Sequence, residues 1–285
     1  MYYLGIDIGG TNIKYGVIDD AYNILYRSQV KTDAFLGGAE IMNKVKHIVR
    51  GILADYKISA AGICTTGVVC GGKIFYANEN VPQYTGTDIK GELESEFNIA
   101  FYVINDVNAA AAGEAVCTGN REFFLLTLGT GVGGAFVHNG SVYEGYNGLA
   151  GEIGYLPTSA GKVVDKSASV SALEKISGCD GRTLMQRAAE NDENAVKIIK
   201  SWCGYIAEAI MYITALINPP VIVIGGAVSE SGHIFKPYID KAVQERLPAP
   251  FKPAVKIEFA KAKNDAGIIG AVYMAKTKNR RDNCV

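Results

Sequence analysis

Little in this chain points to a membrane, a secretion route or a nucleic acid. No run of roughly 18 uncharged apolar residues occurs, so no membrane-spanning helix is expected. Lys and Arg number 28 against 29 Asp and Glu, a formal net charge of −1. That leaves no positive excess for a nucleic-acid footprint or a membrane-surface patch. The N-terminus MYYLGIDIGG carries no basic segment and no cleavage-site pattern, so no signal peptide is expected. Histidine is scarce: His47, His138 and His233 share no spacing, and surface positions are expected for all three. The cysteines, Cys64, Cys70, Cys117, Cys179, Cys203 and Cys284, form no C-x-x-C pair. Without a secretion signal they read as reduced thiols of a cytoplasmic protein. What is present is an ordinary globular profile, 48% hydrophobic and 20% charged over 285 residues. The length suits one large domain or two modest ones.

The apolar pattern switches repeatedly between strand and helix periods. YYLGIDIGGTNIKYGVIDDAYNILYRSQV reads as strand, tight turn and strand, with a third strand from Ile24. Ile41, Val45, Ile48, Val49 and Ile52 then fall on one helical face. SAAGICTTGVV is a buried strand running into a loop, and GTDIKGELESEFN is a helix capped at Thr87 or Asp88. AFYVIND is a strand ending in a polar pair, and VNAAAAGEAVC is an alanine-rich helix. From Glu122 the pattern starts again with EFFLLTLGTGVGGAFVHNGSVYEG. The helices ASVSALEKIS, DGRTLMQRAAE and ENAVKIIKSWCGYIAEAIMYITALIN follow. PPVIVIGGAVSESG is a strand, glycine loop and helix, AVKIEFAKA a strand and DAGIIGAVYMAKTKN a last helix. Two halves opening on the same glycine hairpin imply duplication of an α/β unit. Two such lobes imply a cleft, a preferred place for a ligand.

The glycine turns carry the first chemical signal. GTGVGG, Gly129 to Gly134, matches G-x-G-x-x-G, but a strand follows where a dinucleotide fold needs a helix. No P-loop pattern occurs. The other reading is a glycine hairpin whose backbone N–H groups meet phosphate oxygens. DIGGTNIK adds Asp7, suited to hold a metal ion through water, Thr11 as a phosphate donor, and Lys14. Ordinary hairpin turns remain the plainer alternative, but two glycine turns each holding a threonine, Thr11 and Thr130, favour phosphate binding. A third turn at Gly225 and Gly226 follows an apolar strand, a junction that can cover an adenine or ribose.

In this order the three turns resemble the sugar kinase/actin/Hsp70 ATPase superfamily. LGIDIGGTNIKYGVID, GICTTGVV, NENVP, VINDVNAAAAGEA, LTLGTGVGGAFVHNGSVYEGYNGLAGEIG, SALEKISG and NPPVIVIGGAVSESG narrow the resemblance to the ROK family (repressors, open reading frames, kinases). The resemblance implies an α/β, two-lobed, actin-like ATPase fold of the ribonuclease H-like type. Its lobes would be 1–107 plus 265–285, the smaller, and 108–264, the larger. It also implies a homodimeric sugar kinase using ATP and Mg²⁺. The substrate would be a small-molecule hexose, hexosamine or β-glucoside, phosphorylated on a primary hydroxyl, O6. Asp106 matches the family's catalytic base and Asn105 its sugar-binding neighbour. Glu152 and Glu174 match the two sugar-binding glutamates, and Gly67 and Asn80 match loop positions that contact the hexose. Gly9, Gly10, Thr11, Lys14, Thr130, Gly131, Gly133, Gly225 and Gly226, with Asp7, would hold the nucleotide.

The plainer readings stand beside these roles. Asp106 follows a strand and precedes a helix, where Asp is a good N-cap, and Glu174 on a helix reads as a solvated carboxylate. Glu152 lies between glycines in GLAGEIGYLP, where a buried carboxylate needs hydroxyl or amide donors. The chain departs from the family at Tyr155. Many members place there a histidine that ligates zinc and touches the sugar, followed by three cysteines in C-x-C-G-x-x-G-C-x-E. Here the segment before Glu174 has no cysteine, so no zinc is expected. Tyr155 is expected either to contact the sugar or to fill the space of the metal. The first glycine turn comes too early in the chain for a helix-turn-helix before it, so DNA binding is not expected. Two alternatives are a non-catalytic sugar-binding regulator and an ATPase activator holding an iron–sulfur cluster through Cys64 and Cys70.

Overall fold

The structure, a computed structural model, describes residues 1–252, 255–262 and 264–282; Cys284 lies outside them. The first sheet holds β1 (Tyr2–Ile8), β2 (Asn12–Asp19), β3 (Ile24–Lys31), β4 (Ile58–Thr65) and, later in the chain, Ala100–Asn105. Helix α1 (Gly38–Asp55) links β3 to β4. A short hairpin, β5 (Val68–Cys70) and β6 (Lys73–Tyr76), and α2 (Ile89–Glu96) precede that last strand, β7, which leads into α3 (Asp106–Thr118). The second sheet opens with β8 (Phe123–Leu128), β9 (Val132–His138) and β10 (Ser141–Tyr143). After α4 (Val164–Ala168), α5 (Val170–Ser177), α6 (Gly181–Ala189) and α7 (Glu193–Leu216) come β11 (Ile222–Gly225), α8 (Gly232–Arg246) and β12 (Ile257–Phe259). Helix α9 (Ala266–Asp282) ends the described chain.

The sheet orders are β3-β2-β1-β4-β7 and β10-β9-β8-β11-β12. In each, the first two strands of the unit form an antiparallel hairpin and the two later strands add in parallel. Strand for strand the second half repeats the first, so the duplication seen in the glycine hairpins extends to topology.

The chain divides into two compact units. The first takes Met1–Asn120, Glu144–Ala150 and the stretch from Ala262; the second takes Arg121–Tyr143 and Gly151–Lys261. The expected boundary after residue 107 leaves α3 in the other lobe, and the first unit is not the smaller one. The reason lies in packing: α3 runs against α9. A Cβ built on Gly270 would lie 1.8 Å from the Ala109 carbonyl oxygen, so the two helices meet backbone to backbone. In the first unit Leu4, Ile6 and Ile8 of β1 bury against Ile41, Val45, Val49 and Ile52 of α1. Tyr3 and Ala60 face Ile268 and Val272 of α9. Alternation along a strand sends successive side chains to opposite faces, so one sheet can bind a helix on each. In the second unit Phe124, Leu126 and Leu128 of β8 pack with Trp202, Ile206 and Ile210 of α7.

Two local expectations change. The loop expected after GICTT contains the β5–β6 hairpin, turned by Gly71 (φ 60°) and Gly72 (φ 86°). ASVSALEKIS holds α5 as expected, but a further short helix, α4, runs up to its first residue. Ser169, in extended backbone, separates α4 from α5 and caps α5 through the Ala172 N–H, the short-range competition that makes serine a helix starter. All three histidines are exposed, as expected.

Candidate active site

In the first unit β1 and β2 place Asp7 opposite Lys14, and the intervening turn is closed by the Gly9 N–H donating to Asn12 O at 3.1 Å. A Cβ built on Gly10 would meet no heavy atom within 4 Å. The chain's own packing therefore does not require glycine there, and the space above the turn is open. Thr32, buried, was not singled out in the sequence. Its Oγ1 donates to Gly9 O at 2.6 Å and its N–H to Thr11 O at 2.9 Å, which pins the turn to the end of β3. Burial raises the pKa of Asp7, opposed by the Lys14 ammonium and by the Cys64 thiol.

The second unit repeats this turn. Gly129 N–H donates to Gly131 O at 3.0 Å, and a Cβ at Gly129 would likewise meet nothing. Thr130 is exposed at the tip. Here the turn has an added partner: Asp165 Oδ1 accepts the Val132 N–H at 2.9 Å. Gly133 lies in β9 opposite Thr127 and not in the turn itself. Gly225 ends β11, and Gly226 (φ 79°) approaches Leu128 O so closely that a Cβ would lie 2.5 Å from it. At Gly226, unlike Gly10 and Gly129, the chain's own backbone demands glycine.

At the start of α3 the structure reassigns the cap. Asn105, in extended backbone, caps the helix: its Oδ1 accepts the N–H groups of Val107 and Asn108 at 2.8 and 3.2 Å. Its Nδ2 donates to Gly67 O at 2.9 Å. That leaves Asn105 one amide hydrogen for a ligand. Asp106 is therefore the first helical residue and not the cap, half-buried, with Oδ1 accepting the Val107 N–H at 2.9 Å. Gly67 (φ 92°) contributes its carbonyl to Asn105, and a Cβ there would lie 2.6 Å from Tyr76 O. Asn80 sits in an exposed loop, its N–H donating to Asn78 Oδ1 at 3.1 Å.

Tyr84 and Cys64, both fully buried, lie close enough to Asp106 to feel its charge. Burial pushes the Tyr84 hydroxyl up to about 12, opposed by its bond to Thr65 Oγ1, which is 2.7 Å long. Burial, with the charges of Asp7 and Asp106, holds Cys64 far above the usual thiol value. Cys64 is thus an inert neutral thiol, and Cys70 is exposed, a poor pair for a shared cluster. Nothing local in the sequence marked Tyr84, because its partner Thr65 lies 19 residues earlier, at the end of β4.

In the second unit Glu152 is half-buried and opens a short 3₁₀ turn, Ile153–Tyr155, without capping it. Among the described residues its carboxylate has no hydrogen-bond partner. Burial alone raises its pKa. The flanking glycines serve the chain and not a ligand. Gly151 (φ 90°) lies against β9, where a Cβ would sit 2.3 Å from Gly134 O, and one on Gly154 would sit 2.5 Å from Val132 O. Gly151→Ala should therefore lower stability by about 1–3 kcal/mol; an unchanged melting temperature would contradict that packing. Tyr155 is 66% exposed, so it does not fill a buried space. Glu174 is exposed on α5.

Counting back from Glu174, the three cysteine positions of the family's zinc motif hold Asp165, Ser167 and Ala172. Two of these make internal bonds. Asp165 bonds Val132, and Ser167 Oγ lies 3.1 Å from Thr158 Oγ1, whose hydroxyl donates to Lys162 O at 2.8 Å. Trp202 Nε1 donates to Ser169 O at 3.1 Å. Hydrogen bonds thus anchor this segment to the core of its unit. Among the described residues no group of three His, Cys, Asp or Glu could hold a metal ion.

The predicted residues divide between the units. Asp7, Gly9, Gly10, Thr11, Lys14, Gly67, Asn80, Asn105 and Asp106 belong to the first; Thr130, Gly131, Gly133, Glu152, Tyr155, Glu174, Gly225 and Gly226 belong to the second. The chain is 29% identical to the glucokinase of Halalkalibacterium halodurans, over 96% of this chain and 95% of that protein. It is also 29% identical to the N-acetylmannosamine kinase of Salmonella typhimurium, over 97% and 99%. Its fold is similar to that of the ROK hexokinase of Thermus thermophilus, with a TM-score of 0.82 and 25% identity over 99% and 100% of the two chains. The architecture is that of the actin-like ATPases. The model of the ROK family matches residues 3–278, nearly the whole duplicated α/β chain with its paired glycine turns, and the chain belongs to that family.

Proposed function

We propose that this chain transfers the γ-phosphoryl group of ATP to a hydroxyl, O6, of a hexose, hexosamine or β-glucoside. Its relatives and structural neighbours are sugar kinases, and it is an ATP-dependent carbohydrate kinase. Phosphoryl transfer needs alignment, charge neutralisation and an acceptor for the hydroxyl proton. The open glycine turns, with Thr11 and Thr130, suit phosphate oxygens. Asp106 takes the proton, on a helix start that Asn105 and Gly67 hold in place. Glu152 and Glu174 accept sugar hydroxyls. Asp7 is the residue that would hold, through water, a magnesium ion bound with ATP, and that ion would supply charge neutralisation. A lone carboxylate suits an ion held mostly by phosphates and waters.

One observation carries the reading: Glu152, half-buried, has no protein partner among the described residues. A carboxylate withdrawn from water without donors is costly, and vicinal sugar hydroxyls are the donors a kinase substrate would bring. A coupled ADP-release screen over hexoses, hexosamines and β-disaccharides tests it. Sugar-dependent ADP release is expected; ATP hydrolysis indifferent to every sugar would sink the reading. The same reading has the Asp165–Ser167 segment stand without zinc. Elemental analysis of purified protein is expected to find far less than one zinc per chain, and stoichiometric zinc would refute this.

A further inference from the structure

Apart from the residues assigned above, the first unit has a half-open cavity of about 280 Å³. Its walls are the β5–β6 turn at Gly71 and Gly72, Lys90 of α2, Phe101–Val103 of β7, Glu144, and Lys278 of α9. The size lies at the small end of ligand pockets, right for a small metabolite and too small for a nucleotide. Its chemistry is mixed in a particular way. Two ammonium groups face it, but their partners are unequal. Lys278 Nζ is 2.9 Å from Glu144 Oε1. Among the described residues Lys90 Nζ has only a long ion-pair contact, to Glu94 at 3.9 Å, and stands 5.6 Å from the centre of the Tyr102 ring. The stem of Lys90 rests on Gly72, where a Cβ would lie 2.5 Å from the lysine Cβ. That contact directs the lysine along the wall.

We propose that this cavity is a second small-molecule site, distinct from the residues assigned to phosphoryl transfer, and that it takes a phosphorylated sugar. Lys90 and Lys278 attract the phosphate, with Lys90 the less committed of the two. Glu144 accepts ring hydroxyls, and Val69 and Val103 in the wall offer an apolar surface to a sugar ring. Glu144 also begins the Glu144–Ala150 segment, which the chain continues directly into Gly151 and Glu152. Gly148 seats that segment on Val69 O so closely that a Cβ would lie 2.2 Å away. A ligand drawing on Glu144 therefore acts on a segment two residues short of the sugar-binding carboxylate.

The test is calorimetric binding of glucose 6-phosphate and of inorganic phosphate to the full chain, to Lys90→Ala and to Lys278→Ala. Both probes share the phosphate, and the sugar phosphate adds the hydroxyls that Glu144 would hold. Wild type is expected to bind glucose 6-phosphate more tightly than phosphate. Each variant should lose about tenfold or more in affinity for both, the worth of one charge-assisted bond, and Lys90→Ala should keep its sugar-dependent ADP release unchanged. Lys90→Ala touches no contact of the Glu144–Ala150 segment, so it separates ligand binding from loosening of that segment. Three results would each overturn the proposal: no binding of either probe to wild type, equal affinity in all three proteins, or loss in Lys278→Ala alone.

Discussion

Asp106→Asn should lower turnover by about 10²–10⁴-fold, the usual cost of losing a general base, while ATP and sugar still bind. The substitution keeps the shape of the side chain. Its Oδ1 can still accept the Val107 N–H, a bond of 2.9 Å in the wild type. The helix start does not depend on it either, because Asn105 supplies the cap. What disappears is an anionic oxygen able to take the proton of the attacking hydroxyl. A separate marker follows from the charge. The pKa values of Tyr84 and Cys64 are raised in part by Asp106, so in Asp106→Asn both should titrate at lower pH than in wild type. Steady-state kinetics with the best sugar of the screen reads the main effect, and binding is read by calorimetry. Undiminished turnover in a folded Asp106→Asn protein would remove Asp106 from the mechanism.

Glu152→Gln should move two measurements in opposite directions. The KM for sugar should rise about 10- to 100-fold, since a bond to a charged acceptor is worth roughly 1.5–3 kcal/mol. The unliganded protein should become more stable at neutral pH. The sign follows from burial, which raises the pKa of Glu152 above 4.5. The folded chain then holds that proton more tightly than the unfolded chain, so ionisation favours unfolding. Stability declines as pH rises from about 4.5 through the folded value, and the full loss persists at neutral pH. Glutamine cannot ionise, so Glu152→Gln should melt above wild type at neutral pH, with the gap closing below pH 4.5. A binding carboxylate kept at the expense of stability is a common trade at functional sites. If the variant kept wild-type KM and melted lower, Glu152 would be a structural residue.

The site was legible in part. The turns that carry Thr11 and Thr130 could be read because two glycine hairpins each hold a threonine, a local pattern. The cap of α3 could not be read, since Asn and Asp cap equally well. The choice fell to Asn105 because Gly67, 38 residues earlier in the chain, offers its carbonyl to Asn105 Nδ2. The glycines beside Glu152 invite a ligand in sequence, yet Gly151 and Gly154 are needed against Gly134 and Val132. Thr32 and Tyr84 gave no signal, since their partners lie far away in the sequence, Gly9 and Thr11 in the first glycine turn and Thr65 at the end of β4.

The sequence by itself determined the duplicated α/β plan, the two glycine turns, the polar pair at the start of α3 and the resemblance to sugar kinases. Each is written in residues close together, where period, turn chemistry and capping act. Only the tertiary structure decided which glycines leave open space and which admit another backbone, that Asn105 and not Asp106 caps its helix, that Tyr155 is exposed, and that Glu152 is left without a donor among the described residues. Those outcomes depend on which distant segments come to lie within a few ångströms of each other. A glycine or a carboxylate looks the same in sequence whether its neighbour is a carbonyl of its own chain or empty space for a ligand.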